Sequence, residues 1–312
     1  MARFKNVFDS PPVPGVKQLL KWTVVDSVSG RRRRAPRRAP VPVVANDGRR
    51  LREAVGLEAA TWVGHATFLI QTGGLAILTD PIFSTRIATI RRNVPPGLRI
   101  EDLPAIDVIL ISHNHRDHLD LPTLRRLGPR PLALVPSGVG RTMRRAGLER
   151  VIELEWWQSH DVADVRFTFV PSHHWSGRSI ADRNASLWGG WGILSPRRRL
   201  YFAGDTGYFP GFREIGERLG PLDAALLPVG SYDPRWFMRA QHMDPSDAVR
   251  AFVDLGADRL IAMHWGTFKL TDEPLDEPPR LLDEERRRAN LDPRHIVVPA
   301  IGQTIELGAP AG

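Results

Sequence analysis

The chain of 312 residues contains no cysteine. That absence excludes a disulfide scaffold, a thiol nucleophile and any thiolate metal site. A metal must therefore be held by His, Asp or Glu, the donor set of zinc and other divalent first-row ions. Long hydrophobic runs are also missing. The longest uncharged stretch, Ala59 to Thr79, is interrupted by His65, Gln71, Thr72, Gly73 and Gly74. It reads as strands joined by a Gly-Gly turn rather than as a membrane span. Met1 to Ser10 carries charge with no apolar segment behind it, which predicts no signal peptide. No internal repeat is visible. The expected location is cytoplasmic, with peripheral membrane association.

What is present is ordinary for a globular enzyme-sized chain. A 25 % charged and 42 % hydrophobic composition excludes collagen-like, coiled-coil and wholly disordered classes. The net charge is +8. Residues 1–50 are rich in Pro and carry the basic run Arg31–Arg34 with Arg37 and Arg38. They read as an extension ahead of a domain spanning 51–312. Little regular structure is expected there beyond a short helix near Val16–Trp22, and the run is either a solvated arm or a device that attracts an anionic surface. From Leu57 onward, strand-like text dominates: Thr61–Gln71, Leu75–Thr79, Val108–Ile111, Leu132–Val135, Val151–Leu154, Val165–Val170, Leu187–Leu194, Leu200–Ala203, Ala224–Val229 and Leu260–His264. Helices are expected at Pro122–Leu127, Gly138–Ala146, Gly211–Leu219, Pro245–Leu255 and Pro279–Ala289. This mixed order predicts an α/β (α+β) fold with sheets packed together and helices outside.

The chemistry concentrates in Ser112-His113-Asn114-His115-Arg116-Asp117-His118. Three imidazoles and a carboxylate follow a strand that reads as buried on both faces. In an extended strand end His113 and His115 point the same way, while Asp117 and His118, at the turn into a helix, aim at a second point nearby. One segment can thus serve two metal ions. Further donors also follow strands: His173-His174 after Val165–Val170, Asp205 between two glycines after Leu200–Ala203, and His264 after Leu260–Met263. Singly, each is equally a core histidine or a turn residue. Together they supply what two metal sites still lack.

The set His113-x-His115-x-Asp117-His118, His174, Asp205 and His264 resembles the metallo-β-lactamase superfamily, whose fold is a four-layer αββα sandwich. Within it the chain is most similar to the N-acylphosphatidylethanolamine-hydrolysing phospholipase D family. The stretches Thr61–Thr67, Leu78–Ser84, Phe202–Tyr208, Pro234–Met238 with Gln241-His242, and Ala262–Phe268 carry the likeness. The resemblance implies two zinc ions, or other divalent metals. One would be held by His113, His115 and His174, the second by Asp117, His118 and His264, with Asp205 between them. His173 then stands behind the site or on the surface, and His65 and Asp80 orient ligands. His242 matches a position that contacts substrate phosphate, with Gln241 beside it. Arg116 stands where the family's eukaryotic members have an aromatic residue, and it favours an anionic substrate.

The function so implied is that of a binuclear zinc phosphodiesterase, of phospholipase D type. A hydroxide shared by the metals would attack the phosphodiester of an N-acylphosphatidylethanolamine-like phospholipid, with Asp117 and His242 as catalytic groups. Two Zn²⁺, two carboxylates and one hydroxide leave the centre about +1, suited to an anion. Trp156-Trp157, Trp175, Trp236-Phe237-Met238 and Ile82-Phe83 are candidates for an acyl groove. The expected partners are an anionic small molecule or phospholipid and a second copy in a homodimer, with no nucleic acid. Rival readings are a lactonase acting on sugar-phosphate or acyl-homoserine substrates, and a non-catalytic member that only binds metal or lipid.

Overall fold

The computed structural model describes residues 4–8, 11–33, 35–179 and 181–308; Arg34 of the basic run lies outside them. In chain order the strands are β1 (Ala59–Gly64), β2 (Thr67–Thr72), β3 (Leu75–Thr79), β4 (Arg86–Ile87), β5 (Ile90–Arg91), β6 (Val108–Leu110), β7 (Leu132–Pro136) and β8 (Val151–Leu154). After them come β9 (Ser159–Val162), β10 (Val165–Val170), β11 (Gly190–Leu194), β12 (Arg199–Phe202), β13 (Leu222–Pro228), β14 (Ala257–Met263), β15 (Ile296–Val297) and β16 (Thr304–Glu306). Two seven-stranded sheets result among the described residues, ordered β16-β1-β2-β3-β6-β7-β8 and β15-β14-β13-β12-β11-β10-β9, with β4-β5 as a separate hairpin.

Side-chain alternation explains why the two sheets face each other. In β2, β6 and β7 the residues Phe68, Ile70, Val108, Leu110, Leu132 and Leu134 join one core cluster with Phe167, Phe169 and Trp191 of the other sheet. Their neighbours Leu69, Ile109, Ala133 and Val135 join a second cluster, with Leu124 and Met143 from the helices Leu121–Leu127 and Gly140–Arg145. Both faces are therefore buried, and the strands read as unbroken apolar runs. Helices Gly211–Leu219, Pro245–Leu255 and Glu277–Arg288 cover the other side of the sandwich with Phe212, Phe252 and Leu282. The order helix–sheet–sheet–helix is the expected four-layer αββα arrangement. Local signals hold as well: Asp244 caps Pro245–Leu255 by accepting from the Asp247 N–H, and Gly256 ends that helix at φ +61°.

Three expectations are corrected. Thr61–Gln71 is two strands, because the chain reverses at His65-Ala66 and His65 adopts φ +57°. Leu187–Leu194 is strand only over Gly190–Leu194. Most of the described N-terminal segment is irregular, as expected, but its helix outruns Val16–Trp22 and the segment is not a free arm. It is helical through Val16–Leu20, Lys21–Val25 and Asp26–Val28, and it is tied to the domain. The Trp22 indole donates to Asp272 (2.7 Å), and Arg32 and Arg33 pair with Asp272 and Glu277. No helix among the described residues is long and apolar enough to cross a membrane.

Candidate metal centre

Four strand ends deliver the predicted donors to one rim of the sandwich. β6 runs through Ile111-Ser112 into His113–His118, β10 precedes His173-His174, β12 precedes Asp205, and β14 runs directly into His264. Residues just beyond strand C-termini are where α/β sheets place their sites. Close approach of two of these exits requires glycine. At Gly204 (φ +60°) an added Cβ would lie 2.5 Å from the Ser112 Cβ.

The donors converge in two groups. His113 Nε2 lies 2.8 Å and His174 Nε2 3.3 Å from His115 Nδ1. His264 Nε2 lies 3.3 Å and Asp117 Oδ2 3.5 Å from His118 Nε2. Asp205 stands between them. Its Oδ2 is 3.1 Å from His118 Nε2 and 3.9 Å from both His113 Nε2 and His174 Nε2, while Oδ1 is 3.0 Å from His264 Nε2.

The surrounding hydrogen bonds fix which ring nitrogens are free. The Ser112 hydroxyl donates to Asp80 Oδ2 (2.6 Å), so its oxygen accepts from His113 Nδ1 (2.8 Å). His118 Nδ1 donates to the same Asp80 oxygen (2.7 Å), and His174 Nδ1 to the Gln241 carbonyl (2.9 Å). In its neutral form each of these rings keeps an Nε2 lone pair aimed at the centre. Around His115 Nδ1 three ring nitrogens meet where a single shared proton cannot satisfy all of them. At the centre, Asp205 Oδ1 and His242 Nδ1 are buried without a hydrogen-bond partner. Buried polar groups are almost always partnered, and divalent cations fit this donor set.

Charge states agree with ligand duty. Burial holds His113 and His174 well below the ordinary imidazole range and lowers His115 to about 4. Asp117 and Asp205 are held well below the carboxylate range: burial opposes their charge, but the neighbouring histidines, His118 foremost, outweigh it. His118 alone is raised, burial being overcome by Asp205, Asp117 and Asp80. Neutral imidazoles and ionised carboxylates are the forms that bind metal, so His118, protonated by these carboxylates, would give up its Nε2 proton to a cation.

The remaining predicted residues separate. Asp80 touches ligands of both groups, directly through His118 and through Ser112 to His113. His65 Nε2 donates to Asp117 Oδ2 (3.1 Å), and burial lowers its pKa to about 3. His174 enters the cluster, whereas His173 Nδ1 is spent on the Ala240 carbonyl (2.6 Å). His242 Nδ1 faces Asp205 Oδ2 at 3.9 Å. Gln241 lines the cavity, but its side chain is occupied: Oε1 accepts from the Trp175 indole (2.7 Å). Arg116, in the turn that follows His115, is exposed and donates to the Arg178 carbonyl (3.3 Å). Two other arginines, Arg178 and Arg183, line the cavity, and Arg178 is held by the carbonyls of Asn114 (3.0 Å) and Leu119 (2.9 Å).

A cavity of about 460 Å³ leads away from His115, Asp117, His174, Asp205 and His242. Of the expected groove residues, Trp175, Phe237 and Met238 line it. Trp156, Trp157, Trp236, Ile82 and Phe83 do not. The opposite wall was not foreseen: Pro14, Val16, Leu19 and Trp22 of the N-terminal segment. Asn6 was missed as well. Its amide grips the His174 backbone from both sides, donating to the carbonyl (3.1 Å) and accepting from the N–H (3.3 Å). A lone Asn in the N-terminal extension carries no sequence signal that could have drawn attention to it.

A model described as the beta-lactamase superfamily domain matches residues 76–265. The chain belongs to this superfamily. Within the superfamily it is 37 % identical over 247 residues to the N-acyl-phosphatidylethanolamine-hydrolyzing phospholipase D 1 of Caenorhabditis elegans, covering 72 % of this chain and 69 % of that one. It is 38 % identical over 308 residues to an uncharacterized protein of Mycobacterium tuberculosis, covering 94 % and 79 %. Among solved structures, the isothiocyanate hydrolase from Delia radicum gut bacteria superposes with a TM-score of 0.66 at 20 % identity, over 80 % of this chain and 99 % of that one. At that identity the likeness concerns the superfamily fold alone.

Proposed function

We propose that this metal-dependent hydrolase is a binuclear zinc phosphodiesterase of phospholipase D type, acting on an N-acylphosphatidylethanolamine-like lipid. The observation that carries this reading is the form of the cavity, with a polar metal-ligand cluster at one end and an apolar wall of Val16, Leu19, Trp22, Phe237 and Met238 at the other. An amphiphilic anion with a scissile head and a long chain matches both ends. The relationship to the Caenorhabditis elegans phospholipase supports the same substrate class.

In this reading His113, His115 and His174 hold one ion, Asp117, His118 and His264 hold the other, and Asp205 serves both. Two divalent ions bound there would supply hydroxide at neutral pH and offset charge on the phosphoryl oxygens. Asp117, kept ionised by His118 and His65, accepts a hydrogen bond from the attacking water and orients it. His242 is lowered to about 4 by burial, so its ring is neutral and one N–H can donate to a non-bridging phosphoryl oxygen. Asp80, Ser112, Gln241 and Asn6 keep the imidazoles aimed. The apolar wall excludes water from the acyl chain and sets the phosphate against the cluster.

Mass spectrometry of products from a phospholipid mixture tests the reading. Phosphatidate and N-acylethanolamine should accumulate with wild-type enzyme and not with Asp205→Asn. Turnover by a metal-replete enzyme of lactones but of no phosphodiester would overturn it.

A further inference from the structure

A larger cleft, of about 840 Å³, lies apart from the metal ligands and meets their cavity at Leu270 and Thr271. Six cationic side chains line it: Arg32, Arg33, Arg37, Arg38, Arg91 and Lys269, against the single carboxylate of Asp272. That carboxylate is already engaged by Arg32 and the Trp22 indole. Arg33 is paired with Glu277, and the Lys269 ammonium donates to the Glu273 carbonyl. Arg37, Arg38 and Arg91 are exposed, and their side chains form no hydrogen bond or ion pair with any described residue.

The hairpin β4-β5 adds an independent observation. Arg86 and Arg91 are direct cross-strand partners. Residues paired in this way project their side chains on the same face, where like charges are destabilising. Arg86 has no carboxylate partner among the described residues either. A neighbouring cleft of about 590 Å³ is lined by Arg38, Arg86 and Arg91, so the two clefts meet at Arg38 and Arg91. Uncompensated guanidinium groups facing common space concentrate positive potential, and their planar forks match phosphate oxygens two at a time.

We propose that the Arg38, Arg86 and Arg91 cluster, with Arg37 beside it, is a second binding site, separate from the metal centre, for a ligand carrying two or more phosphate charges. A phosphate-monoester lipid headgroup and a free polyphosphate share this chemistry. The proposal goes beyond the hydrolytic reading and does not depend on it.

The test uses the metal-loaded full chain and compares wild type with Arg91→Gln and with Arg38→Gln/Arg86→Gln/Arg91→Gln. One arm titrates inorganic pyrophosphate calorimetrically; the other measures retention on vesicles of phosphatidic acid in phosphatidylcholine, with pure phosphatidylcholine as the blank. Because every protein compared has the same metal centre, the difference between isotherms reports the cleft alone. Arg91→Gln should weaken binding about tenfold, the loss of one charge-assisted fork, and the triple variant should abolish the difference component. Arg91→Lys should lose less than Arg91→Gln. Metal content and turnover of bis(p-nitrophenyl) phosphate should stay at the wild-type level in all variants. A loss confined to pyrophosphate identifies a free polyphosphate ligand, and a loss confined to phosphatidic acid vesicles identifies a headgroup. Either supports the site. Identical behaviour of wild type and triple variant in both arms overturns it.

Discussion

At the residue scale the metal centre depends on groups that never touch a metal. Asn6 lies 168 residues before His174, yet it holds both backbone polar groups of that residue and also accepts from the Trp188 indole (3.0 Å). Its replacement by Ala leaves His174 in the chain but frees its backbone. Loss of such supporting partners typically lowers metal affinity about 10- to 100-fold. Asn6→Ala should therefore weaken one of two metal-binding steps by about tenfold and alter the visible absorption spectrum of the cobalt-loaded protein, with its thermal melting little changed. An unaltered cobalt spectrum would remove Asn6 from the site. Titration belongs to this scale too. Unfolded imidazoles titrate near about 6.5. In the folded, metal-free chain burial holds His115 and His242 at about 4 and His65 at about 3, and holds His113 and His174 well below the usual range. Between these limits the unfolded chain binds protons that the folded chain refuses, so stability present above about pH 6.5 declines as pH falls toward about 4. His118, raised by three carboxylates, opposes the trend but is outnumbered. The melting temperature of metal-free protein should fall on acidification from about pH 7 to about pH 5; a flat or rising profile would contradict these shifts.

At the scale of elements the N-terminal helical segment changes the picture most. Its Pro content and basic run read as an unpacked extension, because composition reports mean polarity and not the few long-range contacts that dock a segment. Trp22 makes two of these contacts: its indole bonds Asp272, and its ring lies 5.1 Å from that of Phe237. Trp22 also forms part of the apolar cavity wall. Trp22→Ala should raise KM for a long-acyl diester about fivefold, by loss of buried apolar surface, and leave turnover of bis(p-nitrophenyl) phosphate unchanged. Equal effects on both substrates would show the wall to be structural only. Strands with unbroken apolar runs, such as Val108–Leu110 and Leu132–Pro136, were legible in the sequence because both of their faces are buried. Ser159–Val162 was not. It is an edge strand of alternating exposure, with Ser, His and Asp on a wet rim, and it carries no apolar signature.

For the whole molecule, the sequence made the cluster legible because each donor follows a strand that the apolar pattern already marked. The spacing His113-x-His115-x-Asp117-His118 announced chemistry within one segment; bringing His174, Asp205 and His264 to it required the fold. What stayed hidden was three-dimensional pairing. The Asp80 carboxylate joins Ser112 to His118 across 32 and 38 residues of sequence separation, and neither a hydroxyl before a histidine nor an outward-facing Arg116 can be told from its useful neighbours by type alone. Seven side chains on four strand ends should together hold two divalent ions. Elemental analysis of purified protein, wild type and Asp205→Asn together, tests this most directly. Two equivalents of divalent metal per active wild-type chain are expected, and fewer than one in Asp205→Asn, with activity lost in step. Full activity with one equivalent or less, or an Asp205→Asn chain that keeps both ions and full turnover, would contradict it.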